Sequence, residues 1–304
     1  MENNLQFPIG SKSGGLSYSA TVFFNLLLTM TVGLIVQASA LTESEAATYL
    51  SLLTSPIAVA VVLALTLRVA KQPARVLLPI KTNPKYYLIA VLLAFGALFS
   101  LSQLNEWVVE LAEFLGYQRR DGFVPDVAGW KIVPVLLVVA LIPAVMEETL
   151  FRGILLNNAE SELGTVRVIL VSGFCFSLYH GSVEQTVYQF VVGCLLGLLA
   201  VRSRSLGPCV LLHFLNNAVI LILLACGAYD ESTGALLVSN GAQIALYVLS
   251  AVSLAGGLVW LVLDKKELIP CQGGGVKTFF LWAAVGIAIM AVIWVVTLFP
   301  TPVS

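Results

Sequence analysis

Apolar positions run along this chain in long blocks, and polar positions collect between them. The blocks cover approximately 18–41, 49–70, 86–103, 131–156, 166–181, 186–202, 207–227, 242–263 and 278–299. About 20 apolar residues in a helix span the ~30 Å hydrocarbon layer of a bilayer. The pattern therefore predicts an all-α, polytopic integral membrane helical bundle of about nine (eight to nine) transmembrane helices. The blocks at 166–181 and 186–202 are short for full spans. Between the third and fourth blocks, Leu104, Trp107, Val108, Leu111, Phe114 and Leu115 recur at helical spacing, with Glu106, Glu110 and Glu113 elsewhere on the wheel. That stretch reads as a helix at the membrane interface or a continuation of the third span. The run "GCLLG" (193 to 197) predicts close helix packing. The first block ends in "QASA" (37 to 40), which resembles a signal-peptidase site. Its length, with Lys12 alone before it, favours a retained helix.

Composition explains why these blocks face lipid. The chain is 304 residues long, 59% hydrophobic and 11% charged, with a mean hydropathy of +0.94. A soluble domain carries about 25% charged residues, so the apolar surface here exceeds what a globule can hide. A net charge of −1 argues against a nucleic-acid partner. The five cysteines show no CxxC spacing and read as small packing residues. Charge placement suggests an orientation. With the N-terminus inside, thirteen of the sixteen Lys and Arg fall on inner segments, at positions 12, 68–85, 152–167, 202–204 and 265–277. Arg119, Arg120 and Lys131 fall outside. The positive-inside rule then places the N-terminus in the cytoplasm and the C-terminus on the opposite side of the cell membrane.

Polar residues inside the blocks carry the candidate chemistry. "MEETLFRG" (146 to 153) puts three charges within an apolar span, where each costs roughly 2.5–3.5 kcal/mol on insertion scales. Glu148 and Arg152 are i, i+4 and share a helix face, so they can pair. Glu147 is rotated about 100° away and is left for another use. A simple helix-end salt bridge is the plain alternative. The two histidines of the chain, His180 and His213, both fall in predicted spans. "FSLYH" places Phe176 and His180 on one face, and "HFLNN" does the same for His213 and Asn217. A carboxylate base, two imidazoles and an amide donor are the components needed to activate water against a carbonyl.

In order, "EETLFR", "FSLYH" and "HFLNN" fit the patterns EExxxR, FxxxH and HxxxN. The region 131–227 thereby resembles the CPBP family, named for CAAX prenyl proteases and bacteriocin-processing (Abi-like) enzymes. The resemblance implies an intramembrane endopeptidase acting on a membrane-anchored protein or peptide. It implies Glu147 as general base, His180 helping to hold the attacking water, and His213 with Asn217 at the oxyanion. Glu148 and Arg152 would be supporting residues, and Phe176 would shape the pocket. No cofactor is expected to be obligatory. The alternative is a divalent metal such as Zn²⁺ on Glu147, His180 and His213. On this reading, 1–130 holds N-terminal spans and the interfacial helix, 131–227 the catalytic core, and 228–304 the C-terminal spans.

Other intramembrane proteases leave different signs. HExxH and GxGD are absent, and "VSGF" (171 to 174) is a poor GxSG, leaving Ser172 with His213 as a remote dyad. A polytopic transporter or scaffold with a buried polar cluster is the non-enzymatic alternative, although internal repeat symmetry is missing. The motifs also set a geometric condition. A fourth span ending near 156 leaves Glu147 inward of the bilayer middle, whereas His180 lies near the outer end of the fifth. Upright helices would separate them in depth by roughly 15 Å. The fifth span must then tilt or break near 180–186, a turn tolerated at membrane depth where it lines a cavity.

Overall fold

A computed structural model describes residues 10–39, 44–69, 79–119, 125–230, 235–264, 268–271 and 273–299. Helices α1 (Ser11–Ala38), α2 (Glu45–Val69) and α3 (Lys85–Ser100) come first, and α3 runs on through Leu101 into α4 (Ser102–Phe114). The long rod α5 (Gly129–Leu163) follows, then α6 (Thr165–Tyr179), α7 (Thr186–Ser203), α8 (Gly207–Ala225), α9 (Asn240–Leu263) and α10 (Gly275–Leu298). A two-residue antiparallel ladder, Tyr229–Asp230 with Ala235–Leu236, joins α8 to α9. Eight helices are long and apolar enough to cross a membrane, and α6, with 15 residues, is shorter. The chain is an integral membrane protein. Its outer surface agrees, since Leu34, Val252, Leu263 and Leu281 are among many large apolar side chains left exposed. In a soluble fold such faces would be partner sites; here they meet lipid.

Small residues set the helix contacts. Helix α1 packs on α10 and α2, α3 on α9 and α8, and α6 on α7. At the α6–α7 crossing, a Cβ added to Gly193 would stand 2.9 Å from Gly173 Cα, so the two backbones touch. Gly15 against Phe279 and Gly96 against Leu254 do the same for the other two pairs. The expected packing role of "GCLLG" thus rests on Gly193; Gly197 has ordinary clearance, with its nearest neighbours 3.4 Å away.

Helix α4 extends the third span, with Trp107, Leu111 and Phe114 exposed and Val109 and Ala112 buried. Glu106 and Glu113 both pair with Arg119. One wheel face therefore meets apolar surroundings, and Arg119 neutralises two of the three glutamates on the rest.

Contacts between loops group the helix ends. Glu162 accepts from the Ser11 backbone, Thr165 bonds to Ile269, Ser203 to Thr82, and Leu206 to Pro79. At the other end Lys131 meets Glu45 and Asp126, Tyr117 meets Glu184, and Trp294 donates to Thr186. Lys12, Arg68, Lys81, Lys85, Arg167, Arg202, Arg204 and Lys277 lie on helix ends of the first group. Lys71, Arg75, Arg120, Lys265, Lys266 and the C-terminal "TPVS" lie outside the described residues.

Candidate active site

The rod α5 is not a uniform α-helix. It widens into π-helical geometry over Leu136–Leu141 and again over Thr149–Leu156, with an α-helical piece, Ile142–Glu148, between. π-Turns are rare and commonly occur at functional sites. Pro143 supplies a local cause for the first, because it has no N–H to return to the carbonyl of Val139. The glutamate pair thus sits at the junction between a regular and a widened segment.

The rod also continues to Leu163, seven residues beyond the expected end at 156, and turns at Gly164 with φ +79. Glu147 precedes that turn by seventeen residues and His180 follows it by sixteen. Two antiparallel helices meeting at Gly164 therefore bring both residues to similar depth. The 15 Å mismatch expected from the sequence came from ending the fourth span too early. Helix α6, at 1.5 Å per residue, is only about 22 Å long, shorter than the ~30 Å hydrocarbon layer. It ends at Tyr179 with His180 as its C-cap, and a turn over 181–185, within the 180–186 stretch where a break was expected, begins with Gly181 at φ +58. That turn is enclosed by protein. Thr297 bonds to the Gly181 carbonyl, Trp294 to Thr186, and Val183 packs with Trp294, Leu298, Ala112 and Tyr117.

Arg152 is fully buried. Its Nη1 donates to Glu148 Oε1 at 2.9 Å, its Nη2 donates to the Gly193 carbonyl at 2.8 Å, and its guanidinium lies 4.7 Å from the centre of the Phe176 ring. Glu148 Oε1 accepts a second bond, from His213 Nδ1, at 2.9 Å. This second bond was missed from sequence. Helical spacing directs Glu148 only toward Arg152, and nothing in the one-dimensional pattern locates α8 beside α5. The Phe176 ring stands between the histidines, with centroids 4.8 Å from His180 and 5.6 Å from His213. Phe176 is thus a spacer that holds the imidazoles apart and carries the Arg152 charge on its face.

Glu147 differs from its neighbour. It is 9% exposed and no hydrogen bond among the described residues holds it, whereas Glu148 accepts two through Oε1 and leaves only Oε2 without a partner. It lies in electrostatic reach of both Tyr179 and His180, and His213 and Arg152 also act on His180. His180 is half-buried, and its Nδ1 donates to the Phe176 carbonyl at 2.8 Å. A carbonyl only accepts, so the ring proton sits on Nδ1 and Nε2 presents a lone pair. Tyr179 bonds to Ser55 of α2 at 2.9 Å, which closes the site on that side.

Asn217, one turn beyond His213, is half-buried. Its Nδ2 points to the Val139 carbonyl at 3.4 Å, and its Oδ1 accepts from Asn216 at 3.4 Å. Asn216 is buried and accepts from Tyr188 at 2.5 Å. Sequence reasoning passed over Asn216 and Tyr188, and the doubled asparagine of "HFLNN" was the one signal available.

For the metal alternative, no three His, Cys, Asp or Glu side chains among the described residues converge as a metal site. Nδ1 of each histidine is already engaged, with Glu148 or with the Phe176 carbonyl. That leaves the Nε2 atoms of His180 and His213 as the ring positions open to an ion beside Glu147, since a histidine ligand commonly donates its other N–H to a carboxylate or carbonyl. Ser172, the remote serine candidate, is fully buried with its hydroxyl on the Phe151 carbonyl.

Residues 129–219, which contain all three motifs, match the type II CAAX prenyl endopeptidase Rce1-like family model. The chain is 24% identical over 194 residues to the "Membrane-embedded CAAX protease MroQ" of Staphylococcus aureus (strain USA300), covering 62% of this chain and 78% of that protein. No solved structure matches. The matched segment begins at α5 and ends just past Asn217, so the helices that build the site are the part of the chain that is similar to the Rce1-like CAAX prenyl endopeptidases.

Proposed function

We propose that the chain is a glutamate-dependent endopeptidase in which Glu147 activates a water. The observation that carries this is the division of labour between adjacent carboxylates. Oε2 of each is partnerless, but Glu148 is held through Oε1 by Arg152 and His213, whereas no hydrogen bond among the described residues holds Glu147, which is also buried. An unpaired buried carboxylate is costly, and a role in catalysis explains why it persists.

The ring states suit this role. Water has two protons to donate, and Glu147 and the Nε2 lone pair of His180 are two acceptors. A water held between them turns its own lone pair toward a substrate carbonyl. Glu147 takes a proton as the water oxygen bonds to the carbonyl carbon. The oxygen of the resulting tetrahedral centre then meets the Asn217 amide and His213 Nε2. His213 already donates from Nδ1 to Glu148, so donation from Nε2 as well requires the doubly protonated ring. The Glu148 carboxylate, 2.9 Å from Nδ1, lies where it stabilises that charge. Glu147 next passes its proton to the leaving nitrogen, and the C–N bond breaks to give a carboxylic acid and an amine. No step requires a metal.

The substrate class is a membrane-anchored protein or peptide cleaved near its membrane segment. C-terminal CAAX-like processing is suggested by the names of the family and the relative, and bacteriocin or peptide maturation and immunity are further roles for the same reaction. The clustering of Lys and Arg at one end of the bundle supports a cytoplasmic N-terminus and a C-terminus opposite.

The test is cleavage of membrane-tethered peptides by purified protein. Glu147→Gln should abolish turnover while leaving yield and melting unchanged, and a chelator should leave the wild-type rate intact. Normal turnover by Glu147→Gln would remove the assigned base. Chelator inhibition reversed by added Zn²⁺ would restore the metal alternative.

A further inference from the structure

We propose that Tyr188 and Asn216 are positioning residues that aim the Asn217 amide at the reacting carbonyl. This rests on the reading of Asn217 as an oxyanion donor and extends it to Tyr188, outside the three motifs, and to Asn216, at a position that HxxxN leaves open. The hydroxyl of Tyr188, in the first turn of α7, donates to Asn216 Oδ1 at 2.5 Å. Asn216 Nδ2 donates to Asn217 Oδ1 at 3.4 Å, and Asn217 Nδ2 points to the Val139 carbonyl at 3.4 Å.

A side-chain amide offers one oxygen acceptor and two N–H donors. With Oδ1 facing Asn216 and one N–H on Val139, Asn217 keeps a single N–H to give. The relay thus settles which end of the amide faces the site. A free amide could turn its oxygen inward, where it would repel a developing oxyanion. The Val139 carbonyl is available because Pro143, four residues on, has no N–H with which to close the helical bond. The widened Leu136–Leu141 turn then presents this carbonyl to α8. Three helices, α5, α7 and α8, therefore converge on one side-chain amide. Such fixed donors work because they need no reorganisation when charge develops.

The experiment is a double-mutant cycle on turnover of a membrane-tethered peptide by the full chain. Asn217→Ala should lower kcat by roughly 10²–10³, as loss of an oxyanion donor does. Tyr188→Phe removes one hydroxyl and should lower kcat about tenfold, the scale of one hydrogen bond, with KM within twofold and an unchanged melting temperature. In the Asn217→Ala background, Tyr188→Phe should have no further effect on the residual rate. Asn216→Ala enters the same relay independently and should reproduce the Tyr188→Phe loss. Equal losses from Tyr188→Phe in both backgrounds, or a loss that follows a lower melting temperature, would overturn the relay and leave Asn217 its role. Full turnover by Asn217→Ala would instead overturn the oxyanion reading itself.

Discussion

Replacing Arg152 by alanine should damage this protein in a way that replacing Glu147 does not. Arg152 is fully buried, with Nη1 on Glu148, Nη2 on the Gly193 carbonyl and its plane over Phe176. Alanine leaves Glu148 with His213 alone, and leaves the Gly193 carbonyl without its guanidinium donor. Breaking one side of a buried ion pair costs about 3–5 kcal/mol, because the remaining charge is uncompensated. At ~1.4 kcal/mol per tenfold, that shifts the unfolding equilibrium by roughly two to four orders of magnitude. Against a total of about 5–15 kcal/mol it is a large share of the stability. Glu147→Gln is nearly isosteric and breaks no hydrogen bond at Oε2, so it should hold stability within about 0.5 kcal/mol, the usual range for a change that removes no such feature. The assay is unfolding of purified protein in detergent, with Glu148→Gln and the Glu148→Gln, Arg152→Ala double variant completing a cycle. The double variant should be more stable than Arg152→Ala alone, since it removes the stranded charge. Wild-type stability for Arg152→Ala, or no coupling between 148 and 152, would refute the reasoning. So would a severe loss for Glu147→Gln, because the two carboxylates would then have exchanged roles.

Two further expectations concern packing and orientation. Gly193→Ala puts a Cβ 2.9 Å from Gly173 Cα, so α6 and α7 must part at a cost of about 1–3 kcal/mol, and activity should fall as the Arg152 anchor moves. Gly197→Ala, with no neighbour nearer than 3.4 Å, should be close to neutral, and equal effects at both positions in melting and cleavage assays would count against the crossing described. Impermeant thiol reagents should reach Cys271 from the cytoplasmic side and Cys226 from the opposite side, and the reverse pattern would invert the proposed orientation.

The sequence by itself determined the class of solvent, most of the helices and the identity of the candidate reacting groups. These are local or compositional properties. A 20-residue apolar block must satisfy its backbone internally in lipid, so it is helical whatever it packs against. The i, i+4 spacing alone separated Glu147 from the Glu148–Arg152 pair. Where local rules ran out, the tertiary structure decided. The end of α5 was misplaced because Asn157–Leu163 is polar enough to read as a loop, although Ala159, Glu160 and Leu163 are buried against other helices. Those seven residues set the depth of Glu147 relative to His180. The widening at Leu136–Leu141 has a local cause in Pro143, but a hydrophobic pattern carries no record of the Asn217 side chain that the Val139 carbonyl meets. The bond from His213 to Glu148 joins residues 65 positions apart, and Tyr188 reaches Asn216 across 28. Such pairs form only once α5, α7 and α8 have packed. Spacing along one helix says which groups share a face; only the crossing of helices says what that face meets.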